Sequence, residues 1–411
     1  MLKMARLRTA VVGSAVVLLA GGLTACQQTT DDGDTTMPEE AIKIMTIAAE
    51  GSGFTNYPDV QAGARAAVEE INGAGGVDGR PLELIFCNTR GEANQAMACA
   101  RDAVSEDVVA VVGSVDIFTT QSVPILAEAG IPNVGAVPIS EIDYLSPASF
   151  PMHSGNYGAF AAAPAAFLEA GFERMVTVRV DFEATAAQAA MVDQVAAAIG
   201  MENAGQIIVP AQGVTDYAPY AQQIKDRSAD AALVLLGPQG LQALFKAAES
   251  LGIDTQFAGT VFSFGESEAQ AIGTSSDGIW VLSPFTSPRD TVQPGVERFV
   301  RALANTGVAD DDLALHRSAG LNSWLAVHAF AEIAAAIDGT VDRLSMTAAL
   351  EAMGPMDVEG LLTWDPSAQS SPENGVFERF PRGEFRVLTF KDGKLVPTDQ
   401  PPVTDPLAPI R

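Results

Sequence analysis

Three histidines and three cysteines leave this 411-residue chain little room for a zinc site. His153, His316 and His328 are the only histidines, and they are too scattered to form a triad or a metal cage. His316 and His328 lie twelve apart and fit one helix face, yet no third ligand accompanies them. Gly51-Ser52-Gly53 follows an apolar run and hints at a dinucleotide loop, but Asn56 stands where the third glycine belongs. There is no G-x-x-x-x-G-K-[ST], no G-x-S-x-G and no H-E-x-x-H. The sequence therefore predicts no enzyme, no cofactor and no metal site.

The three cysteines divide by context. Lys3, Arg6 and Arg8 precede a short apolar run over 10–22, and Leu23-Thr24-Ala25-Cys26 follows. A run so short, with positive charge before it and small residues after it, reads as an export signal over 1–25 rather than a membrane span. The tetrapeptide resembles the lipobox of bacterial lipoproteins, whose cysteine is acylated; an ordinary signal peptide with an incidental Cys26 is the alternative. The polar stretch 26–40 reads as a tether. Export puts Cys87 and Cys99 in an oxidising compartment, where an even pair reads as a disulfide. Such a bridge contributes about 3 kcal/mol in the chain-entropy model.

Hydrophobic residues make up 47% and charged residues 18%, enough for packed cores in two or three domains. Lys plus Arg is 24 against 51 Asp plus Glu, a net charge of −27. That balance opposes nucleic acid or an anionic membrane surface as an electrostatic partner.

Stepping along the chain, apolar runs alternate with longer helical patterns. Strands are predicted at 42–49, 82–87 and 108–112, with helices at 59–72, 92–105 and 119–129. The rhythm breaks over 146–158 at Pro147, Pro151, Gly155 and Gly158. It restarts with helices at 159–170, 183–199, 216–227 and 239–251, and strands at 174–180, 205–209, 231–236 and near 257 and 279. The strand runs are continuously apolar, as expected of parallel strands covered on both faces. A mostly helical region spans 291–352, short strands lie around Trp364, Phe377 and Phe390, and 397–411 holds five prolines and reads as a surface tail. Two βαβ series separated by a turn-rich break predict two α/β domains.

AAVEEINGAGGVDGRPLEL at 66–84, CNTRGEANQAMACARDAVSEDVVAVVG at 87–113, Gly130-Ile131-Pro132, GLLTWDP at 360–366 and VLTFKDGKLVP at 387–397 together carry a family resemblance. The chain resembles the type I periplasmic binding proteins of the leucine/isoleucine/valine-binding family from about 41 to 397. The resemblance implies an α/β fold of two doubly wound, Rossmann-like lobes with mainly parallel sheets and a three-crossover hinge. The expected lobes are 41–152 plus 286–356 and 153–285 plus 357–396. It implies a monomeric extracytoplasmic protein, anchored to the outer face of the cell membrane by lipidated Cys26, that passes a small solute to an ABC permease and its ATPase. A ligand-sensing receptor on the same fold is the alternative.

Ligands of such sheets sit beyond the carboxyl ends of the strands. The strand-end loops are 50–58, 114–119 and 136–141 in the first lobe, and 181–185, 237–240 and 260–265 in the second. In amino-acid-binding members, hydroxyl residues after the third and fourth strands hold the carboxylate and an acid in the second lobe holds the ammonium. These positions fall here on Ile117, Ile139 and Val261, with Thr119, Ser140 and Glu266 as substitutes if the register slips. Three apolar residues in those places predict weak binding of free branched-chain amino acids. The loops offer instead Phe54, Tyr57, Phe118, Tyr157, Phe182, Phe262 and Phe264, read either as a pocket for an apolar or aromatic solute or as hinge and core packing. Ser52, Asp116, Val137, Asn156, Asp181 and Gln239 complete the candidate lining. Arg179, near the end of a buried strand, needs a partner: Asp181, Glu183 or an anionic ligand.

Overall fold

The computed structural model describes residues 40–52, 55–368 and 379–410. The signal and tether residues up to 39, Cys26, Phe54 and Phe377 lie outside the described residues.

The first series runs β1 (Ile42–Ala48), α1 (Pro58–Gly73), β2 (Leu82–Asn88), α2 (Ala93–Ser105), β3 (Ala110–Val112), α3 (Thr119–Glu128), β4 (Asn133–Val134), α4 (Ile142–Leu145) and β5 (Ser149–Phe150). Its strands form an all-parallel sheet in the order β2-β1-β3-β4-β5. The second series runs α5 (Gly155–Glu169), β6 (Arg174–Val180), α6 (Glu183–Ile199), β7 (Glu202–Val209), α7 (Ala218–Asp226), β8 (Ala231–Leu235), α8 (Pro238–Ser250), β9 (Gln256–Thr260), α9 (Glu266–Ile272) and β10 (Trp280–Ser283). Then follow α10 (Pro294–Asn305), α11 (Ser318–Ala335), α12 (Arg343–Ala352), β11 (Met356–Val358), β12 (Leu362–Trp364), β13 (Glu384–Lys391), β14 (Lys394–Pro397) and β15 (Val403–Thr404). The second sheet is ordered β14-β13-β10-β9-β8-β6-β7, with β13 antiparallel to β10, β14 and β15.

The chain passes between the sheets three times: after β5, after β10, and through the small β11–β12 pair. Between the second and third passages, α10 and α11 pack on α1 of the first series. Helix α11 is buried on almost every face, so its apolar residues show no stripe. Trp364 Nε1 donates to the Pro151 carbonyl oxygen at 3.0 Å, tying the third passage to the first.

Cys87 and Cys99 are bonded, with Cα atoms 5.7 Å apart, joining the end of β2 to α2. Two expectations change. The segment 146–158 is not featureless: β5 lies inside it, a two-residue strand too short to show periodicity, and α5 begins at Gly155 rather than 159. The proline-rich end is not a free tail. Val403 pairs with Phe385 in β13, and the Leu407 side chain is fully buried in the second series' core, because this chain end supplies apolar cover for α5 and α6.

Candidate functional site

The ends of β3 and β4 carry an organised polar group. Asp143 is 3% exposed, and its Oδ2 accepts from Thr119 Oγ1 at 3.1 Å, Ile139 N at 2.9 Å and Ser140 N at 2.8 Å. Its Oδ1 is buried and receives no hydrogen bond. Burial pushes this carboxyl up to about 7, against the pull of its three donors. Helix α6 of the second series reaches the same place, where Gln188 Nε2 donates to the Ile139 carbonyl oxygen at 3.2 Å. The loops after β3 and β4 and helix α6 therefore face one another across a seam.

Several sequence candidates gather here. Ile117, Phe118 and Ile139 are half-buried, and Thr119 and Ser140 are buried at Asp143. Asp116 is used internally: Oδ1 accepts from Phe118 N at 3.0 Å and Oδ2 from Ser122 Oγ at 2.9 Å, which fastens the entry to α3. Burial raises its pKa. Val137 is 2% exposed and its N–H donates to the Ser114 carbonyl oxygen. Tyr157 is buried and meets Tyr144 edge-on at 5.5 Å, and burial pushes its phenol well above the ordinary range. Asn156 Oδ1 is buried without a hydrogen bond.

A second seam lies at the end of β1. Arg317, the residue before α11, is 8% exposed; its Nη1 donates to the Asn56 carbonyl oxygen at 3.2 Å and its guanidinium lies 5.8 Å from the Tyr57 ring centroid. Nη2 reaches Glu268 Oε1, on α9 of the second series, at 3.6 Å. Glu268 is anchored by its other oxygen, which accepts from Gly265 N at 2.9 Å. Nearby Asp59 accepts from Gly320 N at 2.7 Å, and burial raises its carboxyl to about 6. Ser52, half-buried, accepts from Thr55 N at 3.3 Å in the same β1 loop. Arg317 and Glu268 were not among the sequence candidates. They sit in helical stretches without a motif, and only tertiary contact brings them to the loops.

Other candidates have packing partners within the fold. Phe262 is 3% exposed and stacks on His153, with centroids 5.3 Å apart at 17°, while Phe285 meets the same imidazole edge-on. His153 itself lies on the first passage between the sheets: Nδ1 accepts from Gly155 N, so Nε2–H donates to Asn322 Oδ1 at 3.0 Å. Burial lowers its pKa to about 4. Phe264 is fully buried against Phe245 and Phe390, and Val261 is 2% exposed in the same core. Glu266 pairs with Arg289 at 3.3 Å and accepts from Leu395 N at 2.9 Å. Phe182, Asp181 and Gln239 are exposed at the rim of the second series. Arg179 has internal partners, Gln206 Oε1 at 2.7 Å and the Asp181 carboxylate at 3.7 Å. His316 precedes α11 and faces its own turn at Asp312 O, so it shares no helix face with His328.

Two α/β sheets joined by three passages of the chain thus bring their strand-end loops together at two seams. The profile of the family described as "Periplasmic binding protein" matches residues 43–376, and the chain belongs to that family. It is 23% identical to the Leu/Ile/Val-binding protein of Escherichia coli (strain K12) over 350 residues, 82% of this chain and 91% of that one. A shorter stretch is 38% identical to the leucine-, isoleucine-, valine-, threonine- and alanine-binding protein of Pseudomonas aeruginosa, over 86 residues and 23% of that protein's length. Among solved structures it is similar to an ABC transporter solute binding protein from R. palustris in complex with 4-hydroxybenzoate. The TM-score there is 0.73 at 19% identity, covering 89% of this chain and 97% of that one. The fold is that of type I periplasmic binding proteins. Among the described residues, no helix is long and apolar enough to cross a membrane.

Proposed function

We propose that this chain is the extracytoplasmic solute-binding component of an ABC importer, closing its lobes over a small amino-acid-like or more apolar or aromatic solute. The carrying observation is the pair of seams where strand-end loops of the two sheets meet, through Gln188 and Ile139 and through Arg317 and Glu268. In this reading the first lobe is 41–152 plus 286–356 and the second 153–285 plus 357–396. Half-buried Tyr57, Ile117, Phe118 and Ile139 supply apolar lining. The protein works without catalysis, as a monomer tethered through lipidated Cys26, and hands its solute to a permease driven by an ATPase. Support comes from family membership and from relatives named for binding amino acids or holding an aromatic acid.

Thermal melting of the purified protein across a solute library tests the binding function, because a ligand that binds only the folded state raises apparent stability. A reproducible rise with a small solute is expected, and a flat response across amino acids, amides, amines and aromatic acids refutes it. Cys26→Ser separately tests the anchor and should release the protein from the membrane fraction. An unlipidated wild-type Cys26 by mass spectrometry refutes that part alone.

A further inference from the structure

We propose that Asp143 is a specificity-determining residue of the interlobe site: its carboxylate fills the donor cradle at the ends of β3 and β4 and presents its second oxygen to an N–H group of the solute, an amine or a primary amide, while turning carboxylates away. This rests on the solute-binding function proposed above and narrows its ligand class.

Two consecutive backbone N–H groups, Ile139 and Ser140, with the Thr119 hydroxyl beside them, are donors suited to hold an anion. All three converge on one oxygen, Asp143 Oδ2. A solute carboxylate arriving there finds those donors engaged and a like charge in its path.

The other oxygen carries the positive side of the inference. Closing the turn into α4 needs only Oδ2, yet Oδ1 is buried with it and has no donor. A buried carboxylate oxygen left without a hydrogen bond is costly, and a donor from a bound molecule removes that cost. The surroundings suit an apolar body behind such a donor, since Ile117, Phe118 and Ile139 are half-buried at the same loops. The second lobe closes on this spot through Gln188, so the donor would be enclosed when the seam forms. Burial raises the Asp143 carboxyl to about 7, which brings its acid form toward the neutral range. A primary amide complements either form, donating to one and accepting from the other.

The test is calorimetry on the full chain with three probes that share one aromatic skeleton: phenylacetamide, phenethylamine and phenylacetate. Wild type should bind the amide or the amine about tenfold or more tighter than phenylacetate, the worth of a charged hydrogen bond. Asp143→Ala frees the cradle and should reverse the order, with phenylacetate gaining about tenfold. Asp143→Asn keeps an acceptor for the loop and should hold the amide while weakening the amine by about tenfold. This second variant carries the test if the alanine protein fails to fold. Wild type binding phenylacetate tightest, or an order unchanged in the folded variants, overturns the proposal and leaves solute binding standing. No binding of any of the three also overturns it, and the solute library then decides separately whether the chain binds a solute at all.

Discussion

Gly63 on α1 and Gly320 on α11 touch backbone to backbone: a Cβ built on Gly63 would lie 2.1 Å from the Gly320 carbonyl oxygen. The reverse substitution fares no better, since a Cβ on Gly320 would lie 2.6 Å from the Asp59 carbonyl oxygen. Neither glycine has an unusual backbone angle there; what each provides is the missing side chain. This approach seats Arg317, at the foot of α11, beside Asn56 and Tyr57.

Gly63→Ala should therefore destabilise the protein by about 2 kcal/mol or more, an overpacking cost that backbone cannot relieve as a flexible side chain would. Urea denaturation measures it. A variant as stable as wild type would mean that the two helices separate freely.

Arg317→Met should cost about 2 kcal/mol, because it leaves the largely enclosed Glu268, 12% exposed in its side chain, without its cation and strips that cation from the Tyr57 face. Adding Glu268→Gln should recover part of that loss. A double-mutant cycle showing additive effects would remove the pair from any role in joining the seams.

Reducing the Cys87–Cys99 bridge should lower stability by about 3 kcal/mol, as expected for a short closed loop. The fold should persist, since the hydrophobic cluster around Met45, Ile47 and Val111 remains beside it. Alkylation of both thiols in unreduced, folded protein would contradict the bond.

Acid and base should act on stability with opposite signs at different residues. His153 and His328 have folded pKa values lowered to about 4, so between 6.5 and 4 the unfolded chain takes up protons that the fold refuses, and stability falls on acidification. Asp59 and Asp143, raised to about 6 and about 7, hold protons in the fold that the unfolded chain releases above 3.8, so their contribution is lost as pH rises toward 7. The stability of Asp143→Asn relative to wild type should consequently rise by about 1.4 kcal/mol per pH unit between pH 4 and 7. His153→Gln should show the opposite trend over 4 to 6.5. Curves parallel to wild type in both variants would refute the assignment.

Long elements were legible where composition and length agreed. The run MVTVRV and the alanine-rich stretch after it locate β6 and α6 at their observed bounds, because a strand covered on both faces is continuously apolar. Strands β4 and β5, two residues each, leave no such signal, and their burial comes from residues far along the chain. The site was legible as a set of loops but not as chemistry. The cradle at Asp143 is built from backbone N–H groups, which no residue type announces, and Val261 and Phe264 read as loop residues although they complete a core. Arg317 was hidden for another reason: its partners lie on loops and helices that meet only after folding.

The antiparallel pairing of β13 with β10 sets a rule for the order of folding. β10 ends at Ser283, yet its second neighbour begins at Glu384. Until that stretch is synthesised and delivered, one edge of the second sheet stands open, a template for pairing with another chain. The first sheet waits as well, because α1 is covered by α11, which begins only at Ser318. Each half must wait for a part made much later in the chain, the second sheet longest, and such long-range closure is slow. An emerging chain halted before residue 384 should thus be protease-sensitive and dependent on a holding chaperone. This late closure is compatible with passage through a translocon as an unfolded thread.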